Sequence, residues 1–505
     1  MRALLVTSVG VTCAAALTLP LAAPASSAPV LSAASARPPS LTTEPGTDTT
    51  DTSGTTAPDT TTTSDTTAPD GAEPRAAKSA AAPAGSTQSL PLAPLAVPSN
   101  RVAGAPAVQG LPQRDARPFS LVGVVWDDAE AELHGTVQVR TRATGTTRWS
   151  DWQDVETHNA DHAADLGSAE REGRTVRGAT APLWVGDSDG VEVRVRPESP
   201  AAPESQDRAA TPVPLPEGMR LELVDPGEDP APEPARGAPA NRAAVPAVFA
   251  DTPPTAALPE VLTAEIAAAS AVDAEVAELG ASVIPALTQA ETAESVNLAP
   301  GAKPYIGPRP RIVTRKGWGA DEKLRERNFG YTKSVKAAFV HHSATGNNYT
   351  CKQAPSVLRS IYRYHVKSSG WRDFGYNFAV DKCGNIYEGR AGGVTKAVLG
   401  AHTLGFNTNT MGIAVLGSYG STNPPAAAVT AVSKLTAWKL GLFGANPKGK
   451  VTLVSGGSNK YKKGVKVKMN VISGHRDGFA TECPGARLYK KLGTARTSSA
   501  KLQGR

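Results

Sequence analysis

Aromatic residues are scarce in this chain. They make up 5% of its 505 residues, and hydrophobic residues in total reach only 40%. A length that would allow about three domains therefore cannot be filled with three equally well-cored ones. Of the 26 aromatic residues, 20 lie at or after Tyr305, whereas 34 of the 42 prolines precede Gly301. Acidic residues are missing in the same lopsided way: residues 301–505 hold 8 aspartates and glutamates against 34 lysines and arginines, and residues 1–300 hold 39 against 19. This excludes a uniform single domain and points to a basic C-terminal module that meets an anionic partner. Beyond the N-terminal stretch no segment approaches 18 uninterrupted apolar residues, so no integral membrane segment is expected after that stretch is removed. No G-x-S-x-G elbow is present to favour a serine nucleophile.

Met1 and Arg2 lead into an apolar run from Ala3 to Ala23 that ends in small residues around Ala25, Ser27 and Ala28. Residues 1–28 read as a secretory signal peptide rather than an anchor, because Pro20 and Pro24 interrupt the run. Residues 29–100 are rich in Thr, Pro and Ala and are expected to be a disordered spacer. In residues 101–225 the hydrophobic period becomes two: Val137, Val139 and Thr141 alternate with Gln138, Arg140 and Arg142, and Val191, Val193 and Val195 alternate with Glu192, Arg194 and Arg196. A small antiparallel β-sandwich module of five or more strands is expected there, with His134, His158 and His162 as surface histidines. Residues 226–305 read as a Pro/Ala-rich linker with one helix between Pro259 and Leu279. Residues 306–495 form the well-cored domain, and residues 496–505 a basic tail.

The chemistry gathers in that last domain. Ala337 to Val340 is a short apolar run that feeds His341 and His342, and Val471 to Gly474 feeds His475 in the same way. Cys483 follows eight residues later with Pro484 and Gly485, so a loop can fold back and bring a thiolate to an imidazole. Two imidazoles and a thiolate suit a catalytic zinc with its fourth position left for water; magnesium and calcium prefer oxygen. Cysteine arithmetic agrees. Removing Cys13 with the signal leaves Cys351, Cys383 and Cys483, an odd count in an exported protein. Either metal ligation accounts for Cys483 and Cys351 pairs with Cys383, or Cys483 takes one of the others into a disulfide.

The blocks Val340 to Ala344, Gly370 to Phe378, Gly384 to Arg390, Gly400 to His402, and Gly474 to Asp477 through Thr481 to Gly485 resemble the peptidoglycan recognition protein family and the related phage amidase-type lysozymes. The resemblance runs from about Arg311 to Leu492. It implies a zinc-dependent N-acetylmuramoyl-L-alanine amidase of the α/β (α+β) class, with a central mixed β-sheet flanked by helices, acting on cell-wall peptidoglycan. By the same resemblance His341, His475 and Cys483 bind Zn2+, Tyr376 is the catalytic tyrosine, and Thr481 lies near the reacting water. Gly370, Trp371 and Arg390 match positions that accompany recognition of a diaminopimelate-type stem, and His342 and His402 line the cleft. The alternative is a recognition protein that binds peptidoglycan without cleaving it; the presence of Cys483 favours the enzyme.

His365, on the apolar face of a helix with Val357, Leu358, Ile361 and Tyr362, reads as a core histidine. Lys460, Lys462, Lys463, Lys466 and Lys468 cluster in one stretch. For a secreted or wall-associated protein, anionic wall polymers account for them more simply than nucleic acid does. The charge split also raises the idea that the acidic N-terminal half masks the basic domain.

Overall fold

Period-two patterning becomes one antiparallel sheet in the first half of the described chain. The computed structural model describes residues 84–95, 108–157, 162–198, 213–230, 262–296 and 305–505; the expected signal peptide lies outside them. The module contains β1 (Ala84–Pro91), β2 (Ala93–Pro94), β3 (Gln109–Trp126), β4 (Gly135–Ala143), β5 (Gln153–Val155), β6 (Gly178–Ala179), β7 (Leu183–Pro197) and β8 (Arg220–Gly227). Its sheet order is β1-β8-β3-β7-β4-β5, with β2 and β6 also on β3. Val137, Val139, Val191, Val193 and Val195 are all buried, as their alternation predicts.

The strands link through hydrogen bonds into one continuous path, and register shifts along β3 and β7, at Leu111/Arg114 and Asp115/Phe119, are of the kind that bend a strand and increase its twist. One expected boundary needs correction. The sheet begins inside the predicted spacer, because β1 pairs with β8 from Ala84↔Gly227 to Pro91↔Arg220. A sequence as poor in large apolar residues as AGSTQSLP carries little strand signal of its own, and the partner's backbone supplies it.

The predicted linker is likewise partly structured. It contains α1 (Ala264–Ala271), capped by the Thr263 side chain, and β9 (Val283–Ile284). α2 (Gln289–Ser295) follows, with a Thr288/Glu291 capping box. β9 pairs antiparallel with β10 (Ile312–Val313), so the C-terminal fold starts well before residue 306.

From β10 the chain runs through α3 (Arg315–Trp318), β11 (Ala337–His342), α4 (Ala354–Arg363), β12 (Phe378–Val380), β13 (Ile386–Glu388) and β14 (Thr410–Val415). It continues as α5 (Ala426–Leu442), β15 (Lys450–Val454), β16 (Lys466–Asn470), β17 (Ile472–Gly474), α6 (Ala486–Tyr489) and α7 (Leu492–Leu502). A mixed seven-stranded sheet is ordered β17-β11-β14-β12-β13-β10-β9, the central mixed sheet that was expected. β11 and β14 are buried along their whole length, as parallel strands covered on both faces should be. α7 absorbs most of the predicted basic tail: Ser499 and Ala500 are buried, and Thr436 of α5 bonds to Ser499 at 3.1 Å. Cys351 and Cys383 form a disulfide that ties the start of α4 to the β12–β13 turn, with Cα atoms 6.2 Å apart.

The two parts share a core. Leu121, Val125, Trp184 and Val224 of the β-module pack in one cluster with Trp318, Leu358, Ile361, Tyr362 and Tyr364. The Tyr364 hydroxyl donates to the Thr180 carbonyl at 3.0 Å.

Candidate metal centre

Parallel pairing of β11 with β17 decides where the histidines meet. Val340 lies opposite Gly474 in the register, so the next residues, His341 and His475, leave neighbouring strands side by side. Their ring centroids are 4.5 Å apart. The loop after His475 returns through the bond from Arg476 N–H to the Cys483 carbonyl, 3.0 Å, and brings Cys483 Sγ to 3.8 Å from His341 Nδ1. Cys483 is fully buried and takes no part in the Cys351–Cys383 disulfide.

A fourth candidate donor comes from the β-module. His162 Nε2 lies 3.2 Å from His475 Nδ1 and 3.5 Å from Cys483 Sγ. The donor atoms of His162, His341, His475 and Cys483 all fall within 4.8 Å of one another, and all four residues are buried. Tetrahedral zinc with bonds of ~2.0–2.1 Å to nitrogen and ~2.3 Å to sulfur implies edges of about 3.3–3.6 Å between ligand atoms. The separations of 3.2, 3.5 and 3.8 Å lie near that range, and with two or more imidazoles and a thiolate the donor set suits zinc. Burial, and after it the neighbouring His475, holds the His341 pKa well below its ordinary value, which keeps the neutral imidazole that a metal requires. His341 Nε2, on the far side of the ring, faces Thr403 Oγ1 at 3.5 Å, leaving Nδ1 toward the sulfur.

The other sequence-predicted residues surround this point. Tyr376 is buried, its ring centroid 5.3 Å from that of His341. Thr481 accepts a hydrogen bond from Cys483 N–H at 3.2 Å, which shapes the ligand loop. His402 is buried 5.4 Å from His341, ring to ring, with Nδ1 3.0 Å from Thr403 Oγ1. A Cβ on Gly412 would fall 2.4 Å from the His402 ring, so that strand position admits only glycine without a shift. His342 alternates to the other face of β11, where Tyr419 N–H bonds to it at 3.3 Å and Glu156 lies 3.4 Å away. Trp371 stacks on His365, centroids 4.3 Å apart. The Arg390 guanidinium is buried, donating to the Leu399 carbonyl at 3.1 Å and to the Glu170 carboxylate. Gly370 has φ +80°, and a Cβ there would meet the Thr175 carbonyl at 2.2 Å. A cavity of about 410 Å³ is lined by Trp371, Phe479, Leu404, Lys462 and Lys463 together with Glu130 and Arg171 of the β-module.

His162 corrects the expectation of a surface histidine. It stands 313 residues from His475 in sequence, in a segment without regular secondary structure, and no local spacing marks it. His365 is a buried core histidine, as its helical face predicts; its Nδ1 accepts from Gly375 N–H at 3.2 Å. Burial, then His162 and Arg390, holds its pKa well below 6.5. Below pH 6.5 the unfolded chain takes up a proton there that the folded chain refuses, so stability falls on acidification. His365→Gln, which keeps an acceptor, is expected to recover up to about 1.4 kcal/mol of the loss at pH 5.5. Urea midpoints of both proteins at pH 7.5 and 5.5 measure this, and equal pH dependence would contradict it.

The N-acetylmuramoyl-L-alanine amidase family profile matches residues 331–486. Peptidoglycan-recognition protein SC2 of Drosophila simulans is 30% identical over 185 residues, covering 36% of this chain and 85% of that protein. The chain belongs to the peptidoglycan-recognition protein family. Human N-acetylmuramoyl-L-alanine amidase is 30% identical over 194 residues, 37% of this chain and 28% of the human protein. Among solved structures, Drosophila PGRP-LB aligns with 25% identity and a TM-score of 0.29, covering 36% of this chain and 92% of that one. The profile described as Rv3811 N-terminal galactose-binding domain-like matches residues 71–214, which also assigns β1 and β2 to the module rather than to a spacer. Peptidoglycan binding or amidase chemistry is thus the family's range for this chain.

Proposed function

We propose that this chain is an exported zinc-dependent N-acetylmuramoyl-L-alanine amidase that hydrolyses the lactyl-L-alanine amide of peptidoglycan. The observation that carries this reading is the convergence of His341, His475 and Cys483, with Tyr376 beside them. A zinc ion bound there would polarise the amide carbonyl and make a nucleophilic water available near neutral pH. Around it Tyr376 supplies an O–H donor toward the carbonyl oxygen as that oxygen gains charge. Thr403 holds the His341 ring in the orientation that aims Nδ1 at the centre. The buried Arg390 offers a guanidinium fork to a stem carboxylate, which suits a diaminopimelate-type stem. Lys462, Lys463, Lys466 and Lys468 are exposed around the β15–β16 hairpin and suit anionic wall polymers. Among the described residues no helix is long and apolar enough to cross a membrane.

The test is release of stem peptide from purified peptidoglycan by the full chain over hours. Release should stop with a chelator and return with added zinc. Release that a chelator leaves untouched would end this reading, and no release in either state, with His162 replaced by alanine as well as with it intact, would leave the non-cleaving recognition protein.

A further inference from the structure

His162 is anomalous for a hydrolase. A catalytic zinc keeps one position open, whereas a zinc held by four protein side chains is closed. Here His341, His475 and Cys483 come from the C-terminal domain, and the fourth donor is supplied by a different module. The segment that carries it crosses the residues expected to read the substrate. The Asp165 carboxylate accepts from Gly405 N–H and Asn407 Nδ2, both at 2.7 Å, and Asn407 also donates to the Ala163 carbonyl at 2.9 Å. Asn407 Oδ1 in turn accepts the His402 N–H at 2.7 Å. Further along, Glu170 places its carboxylate on Arg390, while its carbonyl accepts from Arg372 Nε at 2.8 Å. Arg174 pairs with Glu326 at 2.7 Å and donates to the Trp371 carbonyl at 3.1 Å. Arg177 N–H bonds to the Ser369 carbonyl at 3.1 Å, and Thr175 lies against Gly370. One strap therefore presents an imidazole to the metal centre and a carboxylate to the arginine fork.

We propose that residues 162–177 are an inhibitory strap, in which His162 closes the zinc centre as fourth ligand and Glu170 occupies Arg390 in place of a substrate carboxylate, so that the folded chain is latent. The inference rests on the amidase reading for what is inhibited. The strap is attached differently from the module that bears it. Leu121, Val125, Trp184 and Val224 fix the β-module through a shared apolar core, whereas the strap is held mainly by hydrogen bonds and ion pairs. Segments with few buried apolar contacts open at the lowest free energy. The strap can thus leave while the module stays docked. An occupant that needs the open state binds with an affinity reduced by the open fraction.

The test uses the full chain and His162→Ala, with His162→Gln as a second variant that preserves volume; circular dichroism melting confirms that each folds. Zinc affinity is measured by chelator competition, coordination by the visible spectrum of the cobalt-substituted protein, and access by binding of a soluble muramyl stem peptide bearing free carboxylates. The expected result is zinc affinity at least about tenfold weaker, a changed cobalt spectrum, and stem-peptide binding and release both raised at least about tenfold. Glu170→Gln should tighten stem-peptide binding with zinc affinity unchanged. Zinc affinity and spectrum indifferent to residue 162 would overturn the proposal. So would weaker zinc binding with no gain in stem-peptide binding. Tighter peptide binding without release from any variant would uphold the strap and refute the amidase reading.

Discussion

Cys483→Ala is expected to lower zinc-dependent release of stem peptide by at least about 10³-fold, roughly 4 kcal/mol of transition-state stabilisation. The thiolate is one of three donors that the C-terminal domain itself supplies, and with the strap withdrawn the variant keeps only two imidazoles. In the latent form His162, His341 and His475 remain together. Zinc is then weakened rather than lost, and the effect on activity exceeds the effect on metal content. Cys483→Ser should fare no better, because a serine hydroxyl is not ionised at neutral pH as a metal-facing thiol is. Measuring bound zinc and release rate on the same preparation checks both parts. Release above a tenth of the wild-type rate in either variant would remove Cys483 from the reaction.

The parts of this arrangement that the sequence discloses are those written locally. His341 and His475 each follow a short apolar run, and that run is a buried parallel strand; Cys483 follows His475 at a spacing a returning loop can close. The odd cysteine count left Cys351 to Cys383 as one of three pairings, and that bond is formed. What stayed hidden depends on distant partners. β1 has no apolar pattern and exists through its register with β8; β9 is two residues long and gains its place from β10. His162 lies among small and charged residues, and only the docking of the β-module through Trp184 and Tyr364 brings it to the centre. The charge split raised masking of the basic domain only as an idea. It could not assign the cover to Asp165, Glu170 and a histidine.

Tyr376→Phe should separate transition-state stabilisation from metal binding. The ring is packed by edge and tilted contacts with His162, His341, His365 and Phe374, at centroid distances between 5.3 and 5.8 Å, and phenylalanine preserves that packing. Only the hydroxyl is lost. An O–H donor aimed at the carbonyl oxygen bonds more strongly once negative charge develops there, so its removal acts on kcat more than on KM. The loss of one such donor typically costs about 10²–10³-fold, and that is the expected fall in kcat, with zinc affinity and melting temperature unchanged. Measured in the His162→Ala background, where the strap is withdrawn, the same fold-change should persist if Tyr376 acts on substrate. If Tyr376 instead served mainly to seat the His162 ring, the effect of Tyr376→Phe would vanish in that background, and the assignment of the hydroxyl to the reacting carbonyl would fail.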